Sequence, residues 1–240
     1  MTTASAPLLL ALYRGADAVV TYGPHVSGYV RARGARNVHE APQAVDNAFW
    51  SAGTPGQRDG FSAVFVGRDA PEKGVDVLLE AWTIAGLGDR AALVLVGAGH
   101  EAHARHQGVH APGPQPPEQV RNFYAGASVA VMASQPSRTF REPWGLVANE
   151  AMNQHLPVIA TDATGAAAGG LVRHERNGLV VPAADPAALG AALRRLHDDD
   201  GLRRQLGDNA ARDVSAYTFD AWAAGFSAAL ASAGASKGDC

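Results

Sequence analysis

The sequence predicts an α/β fold built on a doubly wound parallel sheet, and three observations carry that expectation. From Phe61 onward, short runs rich in Val, Leu and Ile alternate with helical patterns. The runs at Ser62 to Val66, Ala91 to Val96, Ser128 to Met132 and Pro157 to Thr161 are nearly continuous in apolar residues, as strands buried on both faces must be. The first of them ends in a charged, glycine-bounded turn that leads into a helix at Val75, the order expected where a parallel strand crosses over to its neighbour.

Along the chain, Pro7 to Leu12 reads as the packed face of a short helix. It falls well below the roughly 20 apolar residues that span a bilayer. Ala18 to Tyr22 and Asn37 to Pro42 read as strands around a helix at Val26 to Arg33 that stops at Gly34. Residues 41–60 lose periodicity and gain proline, glycine and polar residues, as a linker does. After the four main strands, helices follow at Pro186 to His197, Leu202 to Val214 and Phe219 to Ala231, with Asp185 and Asp200 as N-caps. The small, polar tail Ala231 to Cys240 is expected to fray.

Twenty basic residues against twenty-three acidic ones leave a net charge of -3, so no global field draws in nucleic acid or an anionic membrane. Any phosphate site has to be local. The single cysteine, Cys240, excludes an intrachain disulfide and a thiolate metal cluster, and a cytoplasmic location follows as the default expectation.

Two clusters can carry chemistry. In the turn Gly67-Arg68-Asp69-Ala70-Pro71-Glu72-Lys73-Gly74, Arg68 offers a planar fork of donors for phosphate oxygens and Lys73 a compact charge near a helix start. In open parallel sheets such turns lie where ligands bind, beyond the carboxyl ends of the strands. The second cluster is Phe140-Arg141-Glu142-Pro143-Trp144-Gly145-Leu146-Val147-Ala148-Asn149-Glu150. Pro143 favours a helix start just after Glu142, which would set Glu150 two turns in and leave amides near Gly145, Leu146 and Val147 for a phosphate. Carboxylates beside a phosphate site suit a ligand that also carries hydroxyls, as a nucleotide sugar does. The competing reading is ordinary surface cations and a helix with routine ion pairs.

Taken together, Gly67, Arg68, Lys73, Gly74 and the pair Glu142 and Glu150 resemble the C-terminal domain of glycosyltransferase family 4, a retaining family of GT-B fold. The likeness runs from about Ala16 to the final helix. It implies that Arg68 and Lys73 hold the donor diphosphate, that Glu142 faces the sugar, and that Glu150 binds the ribose hydroxyls. It also implies no cofactor, no required metal ion, and an N-terminal acceptor domain of which residues 1–50 keep only the end with a linker. Residues 51–215 would form the Rossmann-like donor domain and 216–240 a C-terminal helix and tail. The expected partners are a nucleotide sugar, an acceptor the sequence does not identify, and a separate acceptor-domain subunit if one exists. A non-catalytic nucleotide-sugar-binding module and a nucleotide-sugar epimerase are the alternatives. The chain departs from the family pattern at Asn153-Gln154-His155 and in the loop Thr164 to Gly170.

Weaker signals are discounted. Gly97-Ala98-Gly99-His100-Glu101-Ala102 fits a dinucleotide fingerprint, but on the second main strand and without an acidic residue at the end of the next. His100, His103, His106 and His110 share one broad helical face near Glu101, yet no carboxylate or cysteine pattern completes a zinc site. Ser134 and Ser137 have no evident histidine and acid partners.

Overall fold

The computed structural model describes residues 6–53, 60–137 and 142–235. Phe140 and Arg141 of the second cluster, and the end of the tail, lie outside the described residues. The chain divides into two compact units, residues 1–46 with 216–240 and residues 47–215.

The larger unit is built on a six-stranded parallel sheet in the order β5-β4-β3-β6-β7-β8. Its strands are β3 (Ser62–Val66), β4 (Ala92–Val96), β5 (Val109–Gly113), β6 (Val129–Met132), β7 (Val158–Thr161) and β8 (Gly178–Val181). The chain therefore winds outward from β3 in one direction, returns, and winds outward from β6 in the other. That is the doubly wound α/β architecture, with its switch point between β3 and β6. Two strands, β5 and β8, were not expected from the sequence.

Burial on both faces explains the apolar runs. Ala63, Phe65, Leu93, Leu95, Val129, Val131 and Ile159 join one buried cluster with Leu78 and Trp82 of α4 (Val75–Ala85) and Leu189 and Leu193 of α8 (Pro186–Asp198). The alternate residues Val64, Val94, Ala130 and Val158 are buried as well. Asp185 caps α8 by accepting from the Ala188 amide at 2.9 Å. The cap of α9 (Asp200–Val214) is Asp199, which accepts from the Leu202 amide at 2.8 Å, one residue earlier than expected.

The presumed linker is in part structured. Residues 47–51 form α3 (Asn47–Ser51), too short to stand on propensity alone. Tertiary contacts hold it: Trp50 packs edge-on to Tyr124 at 5.9 Å, Arg121 stacks over Phe49, and Asn153 donates to the Asn47 side chain at 2.9 Å. Gln154 donates to the Trp50 carbonyl. Two residues of the divergent segment Asn153-Gln154-His155 thus anchor α3. The third, His155, takes a φ of 56°, the left-handed region where glycine is at ease.

The smaller unit pairs β1 (Val19–Thr21) and β2 (Val38–Glu40) in parallel, with α1 (Ala6–Gly15), α2 (Pro24–Arg31) and α10 (Phe219–Ala235). A two-stranded sheet needs support. Here α10 supplies it: a side chain at Gly225 would overlap the Glu40 carbonyl, and Ser232 bonds both Asn37 and His39. Among the described residues, seven of the nine large, apolar, exposed side chains, Leu8, Leu12, Tyr29, Phe219, Trp222, Phe226 and Leu230, belong to this unit, and Ile84 and Leu146 belong to the larger one. No described helix is long and apolar enough to cross a membrane.

Gly74 links sequence to fold most sharply. Its φ of 65° is left-handed, and a β-carbon there would overlap the carbonyl oxygen of Ala133 at the end of β6. Gly74→Ala is expected to cost more than about 2 kcal/mol, since the backbone conformation alone is worth roughly 1–3 kcal/mol to a non-glycine residue and the overlap adds to it. Urea denaturation checks this; an unchanged midpoint would contradict it.

Candidate functional site

The site is assembled at the carboxyl edge of the sheet. The turn after β3 runs back along the end of β4, its Gly67 amide donating to Val96 and its Asp69 amide to Ala98. A 3-10 turn at Pro71–Lys73 then brings the chain to Gly74 and α4. Because Gly74 sits against Ala133, the turn is pressed onto the loop that follows β6, where the Gln135 amide donates to the Glu72 carbonyl at 2.9 Å.

This packing brings the two predicted clusters together. Lys73 Nζ forms an ion pair with Glu142 Oε2, and Ser134 Oγ approaches the same carboxylate oxygen at 3.4 Å. Both charged side chains are largely shielded, Lys73 at 24 % and Glu142 at 9 % exposure, so the pair is worth more than a surface one. Arg68 is different. It is 68 % exposed and donates to Glu72 one helical turn away at 2.6 Å, which holds the Glu72 carboxyl below its usual range. Each predicted phosphate cation therefore has a carboxylate partner.

Glu142 is fixed by its own strand-like bridge to Thr164, and the Ala166 amide donates to the Trp144 carbonyl at 2.8 Å. A side chain at Gly165 would overlap the Pro143 carbonyl, which accounts for the small residues of the divergent loop. This bridge and the positive φ of Gly145 (89°) keep residues 142–145 out of the helix. Helix α6 (Val147–Met152) accordingly starts at Val147 with Leu146 as its cap residue, and Glu150 stands in its first turn rather than two turns in.

Glu150 bonds elsewhere. Its Oε2 accepts from the Tyr124 hydroxyl at 3.0 Å, and Tyr124 is buried. Burial pushes the Glu150 carboxyl up while the Tyr124 bond pulls it down, with burial the larger effect. Burial likewise pushes the Tyr124 hydroxyl well up, and the Glu150 charge adds to it. Tyr124 carried no signal in sequence, and Ser134 was passed over because its partner is a carboxylate eight residues on in the same loop rather than a histidine.

The remaining motifs are arranged differently from what the sequence predicts. A side chain at Gly97 would overlap the Gly67 carbonyl, so this glycine serves the approach of two loops and not a dinucleotide. The histidines do not share a helical face: His100 precedes a 3-10 turn at Glu101–Arg105 that contains His103, His106 follows it, and His110 lies on β5.

A doubly wound sheet with a cation and a carboxylate paired across its switch point defines a Rossmann-like domain of the GT-B type. Residues 60–199, more than half of the chain, match the family model described as Glycosyl transferases group 1, and the chain belongs to that family. Among curated relatives, it is 33% identical over 190 residues to the D-inositol 3-phosphate glycosyltransferase of Streptomyces coelicolor, covering 70% of this chain and 39% of that protein. It is 32% identical over 201 residues to the enzyme of the same name from Thermomonospora curvata, covering 74% and 43%. The chain thus spans about two fifths of the length of these relatives. Among solved structures, sucrose-phosphate synthase of Thermosynechococcus elongatus superimposes with a TM-score of 0.80 at 25% identity, over 97% of this chain and 62% of that one. Anabaena HepE in complex with UDP and glucose superimposes at 0.77 with 18% identity, over 97% and 68%.

The Glu150 environment sets a pH test. An acid whose folded pKa is raised binds its proton more tightly in the native state, so its contribution is most favourable below the ordinary value of 4.5 and is lost as pH rises through the folded value. Glu150→Gln keeps an acceptor for Tyr124 and removes the ionisation. Relative to this variant, the wild type should lose stability in urea titrations as pH is raised from below the ordinary value of 4.5; a gain with rising pH would contradict the assignment.

Proposed function

We propose that this chain is the donor-binding part of a retaining glycosyltransferase of family 4, which moves a sugar from a nucleotide-diphosphate donor to an acceptor hydroxyl. The observation that carries the reading is the Lys73–Glu142 pair at the switch point, with Arg68 on the adjoining turn. A dianionic diphosphate competes with carboxylates for the cations, so Lys73 and Arg68 exchange Glu142 and Glu72 for phosphate oxygens. Released from Lys73, the Glu142 carboxylate becomes an acceptor for sugar hydroxyls. Gly67 and the segment Gly145, Leu146 and Val147 border the phosphates, and Glu150, held by Tyr124, accepts from the ribose.

In the reaction, the bond from the anomeric carbon to the diphosphate oxygen breaks and its electron pair leaves with that oxygen. Arg68 and Lys73 stabilise the developing charge. The acceptor oxygen attacks from the face the diphosphate vacates, and its proton passes to a donor phosphate oxygen, which retains configuration. The acceptor is held by a domain outside these residues. The length of the relatives and the exposed apolar side chains of the smaller unit support that division.

Thermal shift with uridine, guanosine, adenosine and thymidine diphosphates tests the site: one of them at ~100 times its dissociation constant should stabilise the chain by about 2.7 kcal/mol. If none does, the reading fails. The same chain alone should bind donor yet transfer sugar very slowly, and rapid transfer without an added acceptor domain would refute the division of labour.

Calorimetry separates the residues. Arg68→Ala and Lys73→Ala should each weaken both the diphosphate and its sugar by about 1.5–3 kcal/mol. Glu150→Ala should weaken both ligands too. Glu142→Ala, which frees Lys73, should leave the plain diphosphate bound at least as tightly and weaken only the nucleotide sugar; equal loss of both would overturn its assignment.

A further inference from the structure

We infer that Asp69, His100 and His103 form a binding site for a divalent transition-metal ion of the zinc class. One carboxylate oxygen of Asp69 and one ring nitrogen of each histidine lie within 4.8 Å of one another. The carboxylate that the histidine series lacks in sequence comes from the other side of the sheet edge, in the turn after β3. His103 Nε2 already bonds Asp69 Oδ2 at 2.8 Å.

The independent observation is His100. Its side chain is fully buried, and its Nε2 bonds the Gly67 carbonyl at 2.8 Å. A carbonyl oxygen only accepts, so Nε2 carries the ring proton and Nδ1 keeps its lone pair. Nδ1 is buried without a hydrogen-bond partner. An imidazole that donates one N–H to a backbone carbonyl and presents the other nitrogen bare is the arrangement that orients metal-ligating histidines. Among the described residues the ring has Phe65 at 5.7 Å and His103 at 6.0 Å as aromatic neighbours, and neither is a hydrogen-bond partner of that nitrogen.

Two imidazoles and one carboxylate favour zinc over magnesium or calcium, which take oxygen ligands. Three protein ligands leave a coordination position for water. Bonds of ~2.0–2.2 Å to a tetrahedral ion set its ligand atoms about 3.3–3.6 Å apart, a spacing between the 2.8 Å of the His103–Asp69 bond and the 4.8 Å that bounds the set. The ion would tie the loop that carries Arg68 to the segment after β4, fixing the backbone next to one of the two cations. It is a clamp on that loop and takes no part in the chemistry proposed above.

The test uses the full chain, free of any histidine tag and stripped of metal, titrated with zinc and with magnesium and without nucleotide. Its failure would therefore leave the donor-site reading untouched. One zinc per chain and no magnesium binding are expected, with a rise in melting temperature on zinc addition. His103→Ala and Asp69→Asn, both partly exposed and outside the core, should each lower zinc affinity at least tenfold and abolish the rise. His106→Ala should change neither. Zinc binding that survives both triad variants, or that is lost with His106→Ala, identifies an adventitious ion only and overturns the proposal, as does the absence of binding.

Discussion

Gly74 stands with its α-carbon against the Ala133 carbonyl, a distance no side chain permits and a backbone conformation that few residues adopt. The arrangement of the site depends on that contact. It presses the turn after β3 onto the loop after β6, so that two segments 69 residues apart in sequence present Lys73 and Glu142 to each other. The same edge repeats the device: Gly97 admits the Gly67 carbonyl and Gly165 the Pro143 carbonyl. Three close backbone approaches thus tie together the four segments that follow β3, β4, β6 and β7, and the charged side chains follow from them.

The electrostatics have a corresponding logic. A lone cation in a partly buried cleft would carry a desolvation cost, and pairing with a carboxylate offsets it. Lys73, the shielded cation, has a shielded partner in Glu142, while the exposed Arg68 has a neighbour on its own turn. In the donor binding proposed above, the cations exchange one anionic partner for another, and it is the carboxylates that are released.

Much of this was legible in the sequence, for reasons that can be assigned. Strands β3, β4, β6 and β7 could be read because burial on both faces forces nearly unbroken apolar runs. Strand β5 could not, since VHAPG contains a histidine, a proline and a glycine, and β8 is only four residues long. Helix α3 was hidden because its order comes from Asn153 and Gln154, a hundred residues away, and not from its own five residues. The Lys73 and Glu142 clusters were found by spacing and by resemblance, whereas Tyr124 and Ser134 left no local mark. The start of α6 was misplaced because Pro143 is as compatible with an extended bridge to Thr164 as with a first helical turn.

The four tryptophans are divided unequally between the two units: Trp50, Trp82 and Trp144 lie in the larger and Trp222 in the smaller. Trp144 is 3% exposed and donates its indole proton to Asn149, while Trp222 is 45% exposed and stacked on Phe226. Indole emission moves to the red as water reaches the ring, so the native spectrum is a sum of blue and red components that belong to different units. Removing Trp222 alone leaves a chain whose fluorescence reports on the larger unit, and the difference spectrum reports on the smaller one. The protein therefore carries, without any added label, an optical means of following its two units separately.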